Sequence, residues 1–158
     1  MPKIIYAMDK RQNLDSVIPF FMELPFFKNL NLKKKESEDL IEALKLERFK
    51  KRDIVMEIGS HGEKFYIILE GTVSVYIKNM ADTSKISDEF ERSNSLNSLV
   101  LTEVAQLQAG KSFGELALTD NKFAKRKATI KSLTSVVLAV LHKVDYDRIL
   151  SKKVFKRN

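Results

Sequence analysis

From Phe49 onward the apolar residues of this chain recur every second position instead of every third or fourth, so helices must give way to strands there. Before that switch, Leu14 to Leu46 reads as helical, broken at Pro19 and Pro25. Ser37 is placed to cap a helix whose first turn holds Glu38 and Asp39 and whose apolar stripe is Leu40, Ile41, Leu44 and Leu46. "PFFKNL", residues 25 to 30, sets two phenylalanines and a leucine behind a proline. It reads as a turn docked on another body or as plain core packing, and core packing is preferred.

After the switch the strands are short and closely spaced. "FYIIL", residues 65 to 69, is apolar throughout, as a strand covered on both faces would be. "VSVYIK", residues 73 to 78, alternates, which implies one buried and one partly wet face. Glu70 and Gly71 lie between them, and a glycine there supports a hairpin. Residues 79 to 97 are polar and rich in Ser and Asn, and are expected to form a long flexible loop. Strands resume at 99 to 107, in "KATIKS" and in "SVVLAVL", with a turn at Leu133 to Ser135 before the last of these. "VDYDRIL" opens a closing helix. The expected fold is α+β: an antiparallel β-roll, a jelly-roll-like barrel, flanked by N-terminal and C-terminal helices. The expected division is a helical extension at 1–24, one domain at 25–152 and a tail at 153–158.

A length of 158 residues suits one domain with a full core, and 44% hydrophobic with 31% charged residues is an ordinary globular composition. The absence of cysteine excludes disulfides and thiolate metal sites. No stretch reaches the roughly 18 consecutive apolar residues of a membrane span, so a soluble cytoplasmic protein is expected. The net charge of +7 admits an anionic partner. Its cations are dispersed, with local runs at Lys33 to Lys35, Lys50 to Arg52, Lys125 to Lys127 and the tail, and no recognition helix is evident, so nucleic-acid binding is not expected. The two histidines, His61 and His142, are far apart in the chain and sit in different surroundings. With no Ser/His/Asp set and no HExxH motif, neither catalysis nor a metal site is expected.

One stretch combines features that neither a core strand nor a solvated loop would need together: "GKSFGELALTDNKFAKRKATI", residues 110 to 130. Gly114 would let backbone approach a ligand closely, and "ELALTD" could form a short helical turn with amides free for an anion. Arg126 could supply a bidentate fork to phosphate oxygens, while Glu115 could accept hydrogen bonds from sugar hydroxyls.

"FGELAL" followed by an arginine and "AT" resembles the phosphate-binding cassette of the cyclic nucleotide-binding domain family. The likeness extends to "LPFFKNLN" and to "IVMEIGSHGEKFYIILEGTVSVYI", where Gly59, Gly62 and Gly71 match the family's turn glycines, and covers about Pro25 to Leu150. It implies a β-roll that holds cAMP or cGMP, with helices that move when the ligand arrives and with no other cofactor. It further implies that Glu115 meets the ribose 2′-hydroxyl and Arg126 the exocyclic phosphate oxygens. Amides of Gly114, Leu116 and Ala117 would complete the cradle, Lys127 would stand just beyond the arginine, and Ala128 and Thr129 would line the strand behind. The stretch before Arg126 is about two residues longer than the family's and lacks its proline, which leaves Lys125 as an alternative phosphate partner. Lys127 occupies the position where Thr often marks cGMP binders, which favours cAMP. Arg52 stands where a turn glycine is common. The expected partners are a cyclic nucleotide and a protein effector; the competing reading is a pocket without ligand, serving as an interaction module.

Overall fold

The computed structural model describes residues 2–11, 14–78, 100–119 and 124–157. The loop expected at 79 to 97 lies outside the described residues. Four helices come first: α1 (Pro2–Lys10), α2 (Leu14–Met22), α3 (Pro25–Leu30) and α4 (Lys34–Ala43). Helix α2 runs through Pro19 instead of breaking there. Its first four amides have no helical partner in any case, so the proline deletes only one further bond, and the fully buried Val17 and Phe21 hold the segment in place. Pro25 starts α3, where its missing N–H costs nothing. "PFFKNL" is core packing: Phe27 is buried with its ring 5.9 Å from Phe21, and Phe26 lies 4.2 Å from Phe65 of the nearest sheet.

Helix α4 begins three residues before the expected cap. Glu36 Oε1 accepts the Lys33 amide at 3.0 Å, which ties the helix entrance together. Ser37 therefore sits inside the helix and is buried, its amide bonded to the Lys33 carbonyl. Leu46 likewise leaves the expected helical stripe, because strand β1 (Lys45–Phe49) has already begun.

The remaining elements are β2 (Ile54–Met56), β3 (Lys64–Glu70), β4 (Val73–Lys78), β5 (Leu101–Leu107), β6 (Ser112–Phe113), a 3₁₀ turn (Glu115–Leu118), β7 (Thr129–Ser132), β8 (Val136–His142) and α5 (Lys143–Arg157). They form two antiparallel sheets with strand orders β1-β8-β3-β6 and β2-β7-β4-β5, the wrapping of a jelly-roll-like β-roll with helices at both ends.

The hairpin expected at Glu70–Gly71 is not formed. Strands β3 and β4 belong to different sheets, so this turn carries the chain from one to the other. Gly71 has φ +92°, and a Cβ there would lie 2.7 Å from Val136 Cγ1 and collide with the Ser135 carbonyl. A hairpin and a sheet-to-sheet crossing both need a left-handed residue between two strand runs, so the local sequence looks alike in the two cases. The alternation expected of β4 also fails at Ser74, which is buried in register with Gln106 and Lys131 on its two neighbouring strands.

Strands β3 and β8 explain the double burial. Phe65, Ile67 and Leu69 join Val137, Ala139 and Leu141 in a core shared with the helices, including Ile5, Phe21, Phe27 and Leu40. Tyr66 and Ile68 join Val136, Leu138 and Val140 in the second core, between the sheets. The first sheet is thus a wall with apolar material on both sides, which is why its central strands carry almost no polar residues. Among the described residues, no helix is long and apolar enough to cross a membrane.

Candidate functional site

Gly114 leaves β6 in the left-handed region, with φ +86°, and aims the 3₁₀ turn away from the sheet. A Cβ at this position would stand 3.1 Å from both the Lys64 carbonyl oxygen and Arg126 Nη1, so the glycine provides both conformation and clearance. Glu115 and Leu116 are exposed at the start of the turn, and Ala117 is buried. The Ala117 amide donates to the Gly114 carbonyl at 3.1 Å, and among the described residues no backbone carbonyl accepts from the Glu115 and Leu116 amides.

Arg126 returns to the same place from the other end of the stretch. Its backbone amide donates to the Ser60 carbonyl at 2.8 Å, and its own carbonyl accepts the Gly59 amide at 2.8 Å. This pairing pins Arg126 to the β2–β3 loop. Only 6% of the residue is exposed. Nη2 donates to the Lys64 carbonyl at 2.7 Å and Nη1 to the Gly114 carbonyl at 3.2 Å. Gly62 supplies the slot for the guanidinium, since a Cβ there would lie 2.6 Å from Nε and 2.8 Å from Cζ.

No carboxylate among the described residues pairs with this cation. Burial is the main influence on its pKa and draws it below the usual guanidinium value, with the Tyr66 phenol acting in the opposite sense. The group remains charged. Tyr66 is stacked on Phe113 at 5.0 Å, and burial raises its own pKa.

A cavity of about 590 Å³ lies beside Arg126, lined also by Glu57, His61, Lys64, Tyr66 and His142. It brings the two histidines into one setting, contrary to the sequence expectation: antiparallel pairing puts Lys64 opposite His142, and His61 precedes that strand by three residues. Period and spacing within a segment carry no trace of this meeting. Lys64 is held by Glu47 at 2.9 Å, and that hydrogen bond is the chief reason its pKa stands above the usual amine value. No group of three potential metal ligands occurs among the described residues.

Of the residues singled out from sequence, Gly114 and Arg126 meet directly. Glu115, Leu116 and Ala117 form the turn beside them, away from the cavity lining. Lys125 and Lys127 are exposed on either side of the arginine. Ala128 is partly buried, and Thr129 holds the loop, its hydroxyl accepting the Ile58 amide at 2.9 Å. The Lys64 carbonyl was missed, because a backbone acceptor has no sequence signature. Gly62 was legible as a turn glycine, yet its function here is to make room for Arg126.

The model of the cyclic nucleotide-binding domain matches residues 46–153. This chain belongs to the cyclic nucleotide-binding domain family. The domain is 32% identical over 131 residues to the cAMP-dependent protein kinase regulatory subunit of Candida albicans, covering 83% of this chain and 23% of that protein. It is 29% identical over 128 residues to the corresponding subunit of Mycosarcoma maydis, covering 80% and 23%. The chain thus spans about a quarter of the length of these relatives. Among solved structures it resembles the regulatory subunit of a cAMP-independent protein kinase A from Trypanosoma cruzi bound to guanosine, with a TM-score of 0.66, 26% identity and coverage of 87% of this chain and 41% of that one. A triple mutant of the Trypanosoma brucei counterpart, bound to cAMP in its A site, matches with a TM-score of 0.65 and 26% identity over 90% of this chain and 46% of that one. The β-roll and the family expected from "FGELAL" are both borne out.

Proposed function

We propose that this domain binds a purine cyclic nucleotide, cAMP in preference to cGMP, and passes the event to its flanking helices and thence to a protein effector such as a kinase catalytic subunit. The observation that carries this reading is Arg126: among the described residues it is a nearly buried cation without a carboxylate partner, held at the mouth of a 3₁₀ turn whose first amides find no backbone acceptor there. An incoming phosphate supplies the missing counter-charge. Glu115, exposed at the first position of the turn, is available for the ribose. The absence of a threonine hydroxyl at Lys127 favours adenine.

Leu118 of the 3₁₀ turn packs in the same core as Tyr146, Ile149 and Leu150 of α5. A ligand that draws the turn toward Arg126 therefore acts on the helix, to the extent that it binds the two arrangements with different affinity. The second reading, a fold without ligand that serves as an interaction module, draws support from the two carbonyls that already occupy the guanidinium.

Calorimetric titration of cAMP, cGMP and guanosine separates the two readings. Saturable cAMP binding that weakens by about tenfold or more in Arg126→Ala, and changes little in Lys125→Ala, is the expected result. Failure of every nucleotide to bind the wild type overturns it in favour of the interaction module.

A further inference from the structure

The end of the roll away from the 3₁₀ turn presents cations that the nucleotide reading leaves unused. Lys50, Lys51 and Arg52 occupy the turn between β1 and β2, all exposed, and no ion pair holds any of them among the described residues. Lys131 on β7 is in register with Ile54. Two apolar side chains stand beside this charge, Ile54 at 54% exposure and Leu133 at 40%. Two exposed acids lie nearby, Asp53, whose carboxylate also accepts the Lys50 amide at 2.8 Å, and Glu70 on the neighbouring crossing, so the four cations keep an excess of positive charge.

This end is rigid. Arg52 donates its amide to the Ser132 carbonyl at 2.8 Å, and Ser132 returns its amide to the Asp53 carbonyl at 2.9 Å. The Ser132 hydroxyl bonds to the Lys50 carbonyl at 2.6 Å, and the Leu133 amide bonds to Thr72 at 2.9 Å. Three chain reversals are thereby laced into one tip. Arg52 also holds φ +76°, a conformation that glycine would adopt without strain. A cation stands there although the backbone conformation favours glycine.

We propose that this tip docks on a membrane surface rich in anionic phospholipid, with Lys50, Lys51, Arg52 and Lys131 at the headgroups and Ile54 and Leu133 dipping into the interface. A bilayer is favoured over an acidic peptide because the tip is a set of exposed reversals, and neither the cavity beside Arg126 nor the one between the helices and β1 involves its residues. An extended peptide needs a groove, whereas a plane of headgroups accepts a projection that combines cations with apolar side chains.

The test is co-sedimentation of the full chain with vesicles of phosphatidylcholine alone and with 30 mol% phosphatidylserine. Binding to the anionic vesicles only, reduced at least about tenfold in Lys50→Glu/Lys51→Glu/Arg52→Glu, is expected. Ile54→Ser/Leu133→Ser weakens the salt-resistant part of binding. Reversal of the other exposed run, Lys33→Glu/Lys34→Glu/Lys35→Glu, leaves binding unchanged, and thermal unfolding verifies that every variant is folded. Arg126→Ala also leaves vesicle binding unchanged, so this proposal and the nucleotide reading can fail separately. Absence of binding to anionic vesicles overturns the proposal, as does an equal loss from the control run or binding to an acidic polypeptide that survives where vesicle binding does not occur.

Discussion

Replacing Gly62 with alanine perturbs the candidate site without substituting any residue proposed to meet a ligand. The backbone of Gly62 lies outside the left-handed region, so alanine fits its conformation, and the obstacle is the Arg126 guanidinium, 2.6 Å from the new methyl at Nε. The arginine must leave its slot, losing its bonds to the Lys64 and Gly114 carbonyls. Each bond from a charged donor contributes about 1.5–3 kcal/mol when buried, but the freed guanidinium regains water, so the expected net loss of stability is about 1–2 kcal/mol. For a domain of this size that lowers Tm by roughly 2–8 °C. Affinity for a cyclic phosphate should fall by about tenfold, because the charge is no longer held at the 3₁₀ turn. The decisive assay is a double-mutant cycle by thermal unfolding with Arg126→Ala: once the guanidinium is gone, Gly62→Ala should cost less than about 0.5 kcal/mol. An equal cost in both backgrounds would refute the reasoning, since it would place the requirement for glycine in the backbone.

Arg52→Gly relieves the left-handed strain at φ +76° and should stabilise the domain by about 0.5–1 kcal/mol after the entropy of the unfolded glycine is counted, read as a higher urea midpoint at unchanged slope. Thr129→Val removes the acceptor of the partly buried Ile58 amide and should cost about 1–2 kcal/mol by the same assay, while Thr129→Ser retains most of the stability. The Tyr66 pKa is raised by burial, so the folded state holds its proton longer than the unfolded chain. Its contribution is fully present below about pH 10 and is lost as the pH rises above that value toward the folded pKa; Tyr66→Phe should flatten this alkaline decline in pH-dependent unfolding.

The parts of the fold legible in the sequence are those governed by local pattern. The unbroken apolar run of β3 announced burial on both faces, and the cassette wording led to the family and to the meeting of Gly114 with Arg126. What was misread depended on where a segment goes after it ends. Glu70–Gly71 has the composition of a hairpin turn, yet the collision a side chain at Gly71 would make with the 133–135 turn shows a crossing beneath it. Ser37 has the chemistry of a cap, but Glu36 reaching back to Lys33 fixes the helix start earlier. His61 and His142 share a cavity only because β3 and β8 pair, a register between strands about seventy residues apart in the chain. Thr129 matched a family position, and the acceptance of the Ile58 amide by its hydroxyl has no trace in the local sequence.

The two-faced wall formed by β3 and β8 has a consequence for the order of events during synthesis. Strand β8 lies between β1 and β3, and it contributes alternate residues to both cores. Until residue 142 has left the ribosome, β1 has no neighbour in its sheet, β3 has only the two residues of β6, and neither interior can be sealed. The helices and the second sheet must wait with apolar faces exposed, so collapse should come late and nearly all at once, at the slow rate typical of distant strand pairings. A nascent chain stalled before Val136 should therefore be open to proteases along most of its length, whereas one extended past His142 should become resistant in a single step.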